Sequence, residues 1–288
     1  MGERRSAGLA AAAALLAGGA VLADTHTDIT YATIGETELK LDLHLPDGAA
    51  SPPLVIWIHG GAWRTGSKAD PPARFVQSGF ALASVGFRQS TVARFPAMVH
   101  DIKAAIRFLR ANASRYGYSA ERVAIAGISS GGHLAALVGV TNGHAALEGD
   151  LGDHLDVSSD VHAIVVFSGA SNLTTILGQS TPRGLLIREP AIEQLLGAKP
   201  DDVPELARLA SPVFHVDPSD PPLRLLHGDQ DVQMPINQAH ELHGAYVGKG
   251  LDAELDVVHG AGHGGNAFFD DERWGRTAAF LRRALILD

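Results

Sequence analysis

The chain of 288 residues contains no cysteine. That absence excludes a thiolate nucleophile, a disulfide framework, a thiolate zinc site and a lipidated N-terminal cysteine. Basic residues are in deficit: 23 Lys and Arg stand against 32 Asp and Glu, a formal charge of −9. Nucleic-acid binding needs a basic surface, so that class of partner is excluded. Anionic lipid headgroups would repel the same surface, and a neutral substrate fits the balance best. Metal-ligand spacing is lacking too. The 14 histidines are scattered; no H-E-x-x-H or comparable group occurs, and His240 and His243 share a helix face without an acidic third ligand. No metal and no cofactor is expected.

Long apolar runs are scarce. The longest, Ala7–Leu22, follows Arg4 and Arg5 and ends in Val21-Leu22-Ala23. It is shorter than the ~18–20 residues of a spanning helix, and its small residues suit a signal peptidase. Residues 1–23 are therefore expected to be a signal peptide, with export to the periplasm or medium, and an uncleaved anchor is the alternative. Residues 24–288 are expected to form one domain without stable membrane association.

Beyond that point the pattern alternates strand and helix. Thr30–Ile34 and Glu38–Pro46 alternate apolar and polar residues, as half-buried antiparallel strands do. Leu54–Ile58 is a continuous apolar run, and Phe80–Val85, Val123–Ala126 and Val161–Phe167 are similarly apolar-rich, as suits strands covered on both faces; a further pair follows at Leu223–Leu226 and Leu255–Val258. Met98–Tyr116 has helical spacing, with Lys103, Arg107 and Arg110 expected to face outward. Leu134–Val140, Gln238–Val247 and Phe268–Leu287 supply further helices. The alternation predicts an α/β fold, a mostly parallel central sheet with helices on both faces. A cap-like insertion over about 171–210 interrupts it, with short helical patterns at Glu189–Leu196 and Val203–Leu209 and no long lid helix.

Gly127-Ile128-Ser129-Ser130-Gly131 sits between a strand and a helix. Flanking glycines let the backbone fold sharply there and lift the Ser129 hydroxyl above the sheet. His59-Gly60-Gly61-Ala62-Trp63 closes another strand, where small residues free backbone N–H groups for a developing oxyanion. The candidate donors are Gly61, Ala62 and Ser130. An acyl-transfer serine also needs a base and an orienting carboxylate. His227-Gly228-Asp229-Gln230-Asp231 and His259–Gly265 follow the next two strands, so Asp229 or Asp231 and His259 or His263 could serve. Their order along the chain is Ser, Asp, His.

These motifs (HGGAW at 59–63, GISSGGH at 127–133, HGDQDVQMP at 227–235, GAGHGG at 260–265) resemble those of bacterial α/β-hydrolases of the carboxylesterase and hormone-sensitive-lipase-like group. The feruloyl or acetyl-xylan esterase-like branch with a short HGGxW motif is nearest. The resemblance runs from about Leu39 to the C-terminus. It implies the α/β-hydrolase fold, Asp231 as the acid and His263 as the base, so that Ser129, Asp231 and His263 form a catalytic triad. The implied activity is hydrolysis of small to medium acyl or carbohydrate-linked esters. Ala62 stands where the family has a third glycine, and Ser130 where it often has alanine. Trp63 is expected to fix its loop by packing and, with Leu173, Ile176 and Leu177, to border the substrate. An arylformamidase would use the same triad on an N-formyl amide. A peptidase of the prolyl-oligopeptidase type would carry a large partner domain, and a non-catalytic binding module would have lost a triad member.

Overall fold

A computed structural model describes residues 24–286; the expected signal segment, 1–23, lies outside the described residues. Eight strands form one sheet: β1 (Asp24–Ile34), β2 (Thr37–Leu45), β3 (Pro53–Ile58), β4 (Ala81–Val85), β5 (Ser119–Ile128), β6 (Ala163–Phe167), β7 (Leu223–Gly228) and β8 (Ala253–Val258). Their order is β1-β2-β4-β3-β5-β6-β7-β8, antiparallel from β1 to β4 and parallel from there on. The helices are α1 (Arg74–Gln77), α2 (Ala97–Ala111), α3 (Ala113–Tyr116), α4 (Ser130–Gly139), α5 (Ala145–Glu148), α6 (Ile176–Gln179), α7 (Pro182–Leu196), α8 (Pro204–Leu209), α9 (Asn237–Val247) and α10 (Asp271–Leu285).

The two-residue period of a strand sorts its side chains into two cores. Leu54, Ile56 and Ile58 of β3 enter the layer that contains α2, α4 and α9. Val55 and Trp57 point the other way, onto Phe75 of α1 and, in the same cluster, Trp274 and Leu281 of α10. Both faces of the central strands are thus covered, which is why their sequences are continuously apolar. This is the expected α/β-hydrolase architecture.

Two expectations about helices are corrected. Lys103 and Arg107 do not face outward: both are buried. Lys103 Nζ donates to Glu148 Oε2 at 2.9 Å and to the Thr141 carbonyl at 2.6 Å. Arg107 Nη1 donates to Glu148 Oε1 at 2.7 Å. The segment carrying α5 lies over that face of α2, and one glutamate pairs with both cations. The helical pattern also breaks at Asn112, which separates α2 from α3.

The insertion differs as well. Helix α7 has 15 residues and begins at Pro182, well before Glu189. Thr181 caps it by accepting the Gly184 N–H at 3.0 Å, and Pro182 occupies the first helical position, where a missing N–H costs nothing. Pro190 lies inside the helix and leaves the Leu186 carbonyl without its usual donor.

Candidate active site

Ser129 sits at the junction of β5 and α4 with φ 56° and ψ −121°, a conformation of the kind that costs about 1–3 kcal/mol for a residue with a side chain. Its N–H donates to the Phe167 carbonyl at 2.8 Å, and its carbonyl accepts from His133 N–H at 3.0 Å. The neighbouring glycines are sterically obligatory. A Cβ on Gly127 would lie 2.3 Å from the Gly131 carbonyl oxygen, and one on Gly131 would lie 2.1 Å from that of Ile58. The close packing of strand on helix therefore holds the serine in its turn.

The loops after β7 and β8 bring two side chains to that serine. His263 Nε2 lies 2.8 Å from Ser129 Oγ, and His263 Nδ1 lies 2.7 Å from Asp231 Oδ2. Asp231 Oδ1 accepts the N–H groups of Gln233 at 2.9 Å and Met234 at 2.8 Å. Burial pushes the Asp231 carboxyl up, but the hydrogen bond and charge of His263 and the two backbone N–H groups outweigh it, and its pKa is lowered. Asp231 is thus held as a carboxylate that fixes Nδ1–H on His263. That leaves Nε2 to accept the Ser129 proton.

The other aspartate and histidine pair with each other. His259 Nδ1 lies 2.9 Å from Asp229 Oδ2, and the Gly260 N–H donates to Asp229 Oδ1 at 2.8 Å. The His259 side chain is 82% exposed, so this pair sits at the rim. His227 is buried behind Asp231, with Nε2 donating to the Met234 carbonyl at 3.0 Å. Burial lowers its pKa and keeps it neutral.

The loop after β3 turns through Gly61, Ala62 and Trp63 at φ 125°, 53° and 60°. A Cβ on Gly61 would lie 2.1 Å from the Thr65 carbonyl oxygen, so only glycine fits. Gly61 and Ala62 border the cavity at Ser129, and the Gly61 carbonyl closes the turn by accepting from Arg64 and Thr65 N–H at 3.0 Å. Ser130 begins α4, where helical N–H groups lack intrahelical partners. His59 belongs to the loop's frame: it stacks on Phe87 at 4.5 Å and its Nδ1 bonds the Gly60 carbonyl at 2.8 Å.

The expected substrate-bordering residues are corrected. Trp63 is 1% exposed and does not border the cavity; its Nε1–H donates to His133 Nδ1 at 3.1 Å, and His133 Nε2–H donates to the Ala210 carbonyl at 2.7 Å. Leu173 and Ile176 are fully buried, and Leu177 packs against the same core. The cause is the start of the insertion. Ser171 and Asn172 N–H both donate to Gln238 Oε1 of α9, at 2.9 and 2.8 Å, which draws the segment down into the core. The cavity of about 400 Å³ is bordered instead by Arg64, Ile187, Arg188 and Gln233, with Ile128 and His263. Arg64 directly follows the HGGAW motif. Ile187 lies in the apolar segment 171–196 expected to roof the serine; Arg188 was findable only by recognising the Thr181-Pro182 helix start, which puts Gly184, Arg188, Ile192 and Leu195 on one buried stripe. Among the described residues no group of three or more His, Asp and Glu could hold a metal ion.

A strand–turn–helix serine joined to a histidine and a carboxylate on successive post-strand loops defines the class: an α/β-hydrolase of the carboxylesterase and hormone-sensitive-lipase-like group. The family model described as BD-FAE matches residues 41–246, and the chain belongs to that family. It is 32% identical to the esterase LipC of Mycobacterium tuberculosis over 78% of this chain and 56% of that one. The chain spans about half the length of the curated relatives it matches. Among solved structures it is similar to a truncated carbohydrate esterase from gut microbiota. The two share 31% identity and a TM-score of 0.83 over 92% of this chain and 97% of that one. It is also similar to a bifunctional GH43-CE protein of Bacteroides eggerthii, at 34% identity and a TM-score of 0.81 over 90% of this chain and 35% of that one.

Proposed function

We propose that the chain is a serine carboxylic-ester hydrolase that works through an acyl-enzyme on Ser129. The observation that carries this is the unbroken relay from Ser129 Oγ through His263 to Asp231, at 2.8 and 2.7 Å. Ser129 Oγ attacks the ester carbonyl carbon while His263 Nε2 takes its proton. Asp231 stabilises the imidazolium that forms and keeps the ring in position. The backbone N–H groups of Gly61, Ala62 and Ser130 hold the tetrahedral oxyanion, at positions where donors are already fixed and need no reorganisation. The oxyanion then collapses, His263 gives its proton to the leaving alcohol, and the acyl group stays on Ser129. A water enters, loses a proton to His263 and attacks the acyl carbon; Ser129 leaves with that proton and the acid is released. No cofactor takes part.

A cavity of about 400 Å³ suits small to medium acyl groups or one sugar unit more than a long chain. The likeness to a solved carbohydrate esterase supports carbohydrate-linked esters as the substrate class. Ser129→Ala is expected to lower kcat/KM on 4-nitrophenyl acetate by at least ~10³-fold without loss of fold. Turnover near wild type in that variant sinks the mechanism.

A further inference from the structure

The cavity wall carries charge that the triad does not use. Arg188 is 1% exposed, lies on the buried stripe of α7 and borders the cavity. Its Nε–H donates to the Gln233 carbonyl at 3.0 Å. Nη1 is buried without any hydrogen-bond partner, and Nη2 has none among the described residues. Four of the five N–H donors of the guanidinium are therefore unused. Arg64 borders the same cavity and has no ion-pair partner among the described residues either. No aspartate or glutamate borders it, and the Asp231 side chain is wholly covered.

Burial lowers the Arg188 pKa to about 10, offset in part by attraction to Asp231, so the group is charged at neutral pH. A desolvated cation is ordinarily matched by a carboxylate close by. Here no carboxylate lines the wall; the guanidinium carbon lies 5.9 Å from the centroid of the Trp63 ring, and Arg188 and Ser129 border the same cavity. Through Gln233, whose N–H donates to Asp231 Oδ1, Arg188 also braces the acid loop. That bracing accounts for one donor and leaves four.

We propose that Arg188 and Arg64 form an anion-reading subsite next to Ser129, and that the enzyme prefers esters carrying a carboxylate to their neutral counterparts. The planar fork of a guanidinium matches a carboxylate with two parallel hydrogen bonds. The proposal rests on the esterase function of Ser129 and replaces the neutral substrate expected from net charge. Whole-chain charge describes the outer surface, whereas a cleft with low-dielectric walls focuses the field of the few charges lining it.

The carboxylate can stand on the acyl side, as in a hemiester of a dicarboxylic acid, or on the alcohol side, as in an acylated uronic acid. Two matched pairs separate these: 4-nitrophenyl hydrogen glutarate against 4-nitrophenyl butyrate, and 4-acetoxybenzoate against phenyl acetate, each corrected for its rate with hydroxide. The charged member is expected to exceed its neutral partner in kcat/KM by roughly 10-fold or more in one pair. Arg64→Gln and Arg188→Gln should erase most of that preference, chiefly through KM, and Arg188→Lys should restore part of it. A purely structural Arg188 would lower kcat on all four esters alike. That result, or a wild-type ratio near one in both pairs, overturns the proposal. Should Arg188→Gln fail to fold, Arg64→Gln and inhibition of the unaltered enzyme by glutarate but not glutaramide decide it. If all four esters are inert and a fluorophosphonate leaves Ser129 unlabelled, the esterase function has failed. Calorimetric binding of glutarate then tests the subsite by itself.

Discussion

Asp229 and Asp231 stand two positions apart on one loop, and only their partners separate them. Asp229 spends its carboxylate on exposed His259 and the Gly260 N–H, whereas Asp231 holds His263 from beneath with a fully covered side chain. Asp231→Asn is expected to lower kcat by ~10⁴-fold, because an amide cannot enforce the Nδ1–H tautomer or stabilise an imidazolium. Asp229→Asn should stay within about threefold of wild type, since an exposed pair contributes little. Comparing kcat for the two variants on one ester checks both expectations. Spacing alone left either aspartate open in the sequence, because both follow the same strand. What decides between them is which carboxylate faces the histidine loop, a matter of turn geometry after Gly228.

At the scale of elements, the sheet was legible because each central strand must be apolar on both faces, and the runs at 54–58, 123–126 and 163–167 show it. The elbow was legible because a serine at positive φ between close-packed strand and helix demands Gly127 and Gly131. Gly127→Ala or Gly131→Ala should destabilise the chain by at least about 1–3 kcal/mol and depress turnover with it, since backbone carbonyls within 2.3 Å have no room to retreat. Gly244→Ala, in open space within α9, should instead stabilise by about 0.5–1 kcal/mol. Thermal melts of these variants distinguish a packing requirement from mere flexibility. The roof of the cavity was not legible. Its apolar residues gave no facing: the legible helical pattern, Glu189–Leu196, starts seven residues after Pro182 and leaves Ile187 and Arg188 outside the helix. The buried face of α2 was missed for a related reason: the carboxylate that pairs with both Lys103 and Arg107 arrives from α5, some forty residues later in the chain.

For the molecule as a whole, acid should act through the buried histidines more than through net charge. His133 is fully buried, and its pKa falls from an ordinary 6.5 to about 4, because burial outweighs the hydrogen bond to Ala210. Between those values the unfolded chain takes up a proton that the folded chain refuses. Stability therefore falls as pH drops from about 6.5 to about 4, by up to ~1.4 kcal/mol per pH unit from this one group. Asp220, raised by burial to about 6, works in the opposite sense over an overlapping range. His133→Gln can keep both hydrogen bonds without titrating, and its melting temperature should depend less steeply on pH across that window. An unchanged slope would show that His133 does not govern acid sensitivity.

The same histidine ties three parts of the chain together. Trp63 stands in the loop over the serine, His133 in the helix that begins at the serine, and Ala210 at the end of α8 in the insertion. Through that tie the insertion meets the helix that begins at the serine, and through Arg188 and Gln233 it meets the acid loop. Substitutions on the wall between those two points can alter specificity alone, whereas a change at Arg188 reaches the chemistry as well.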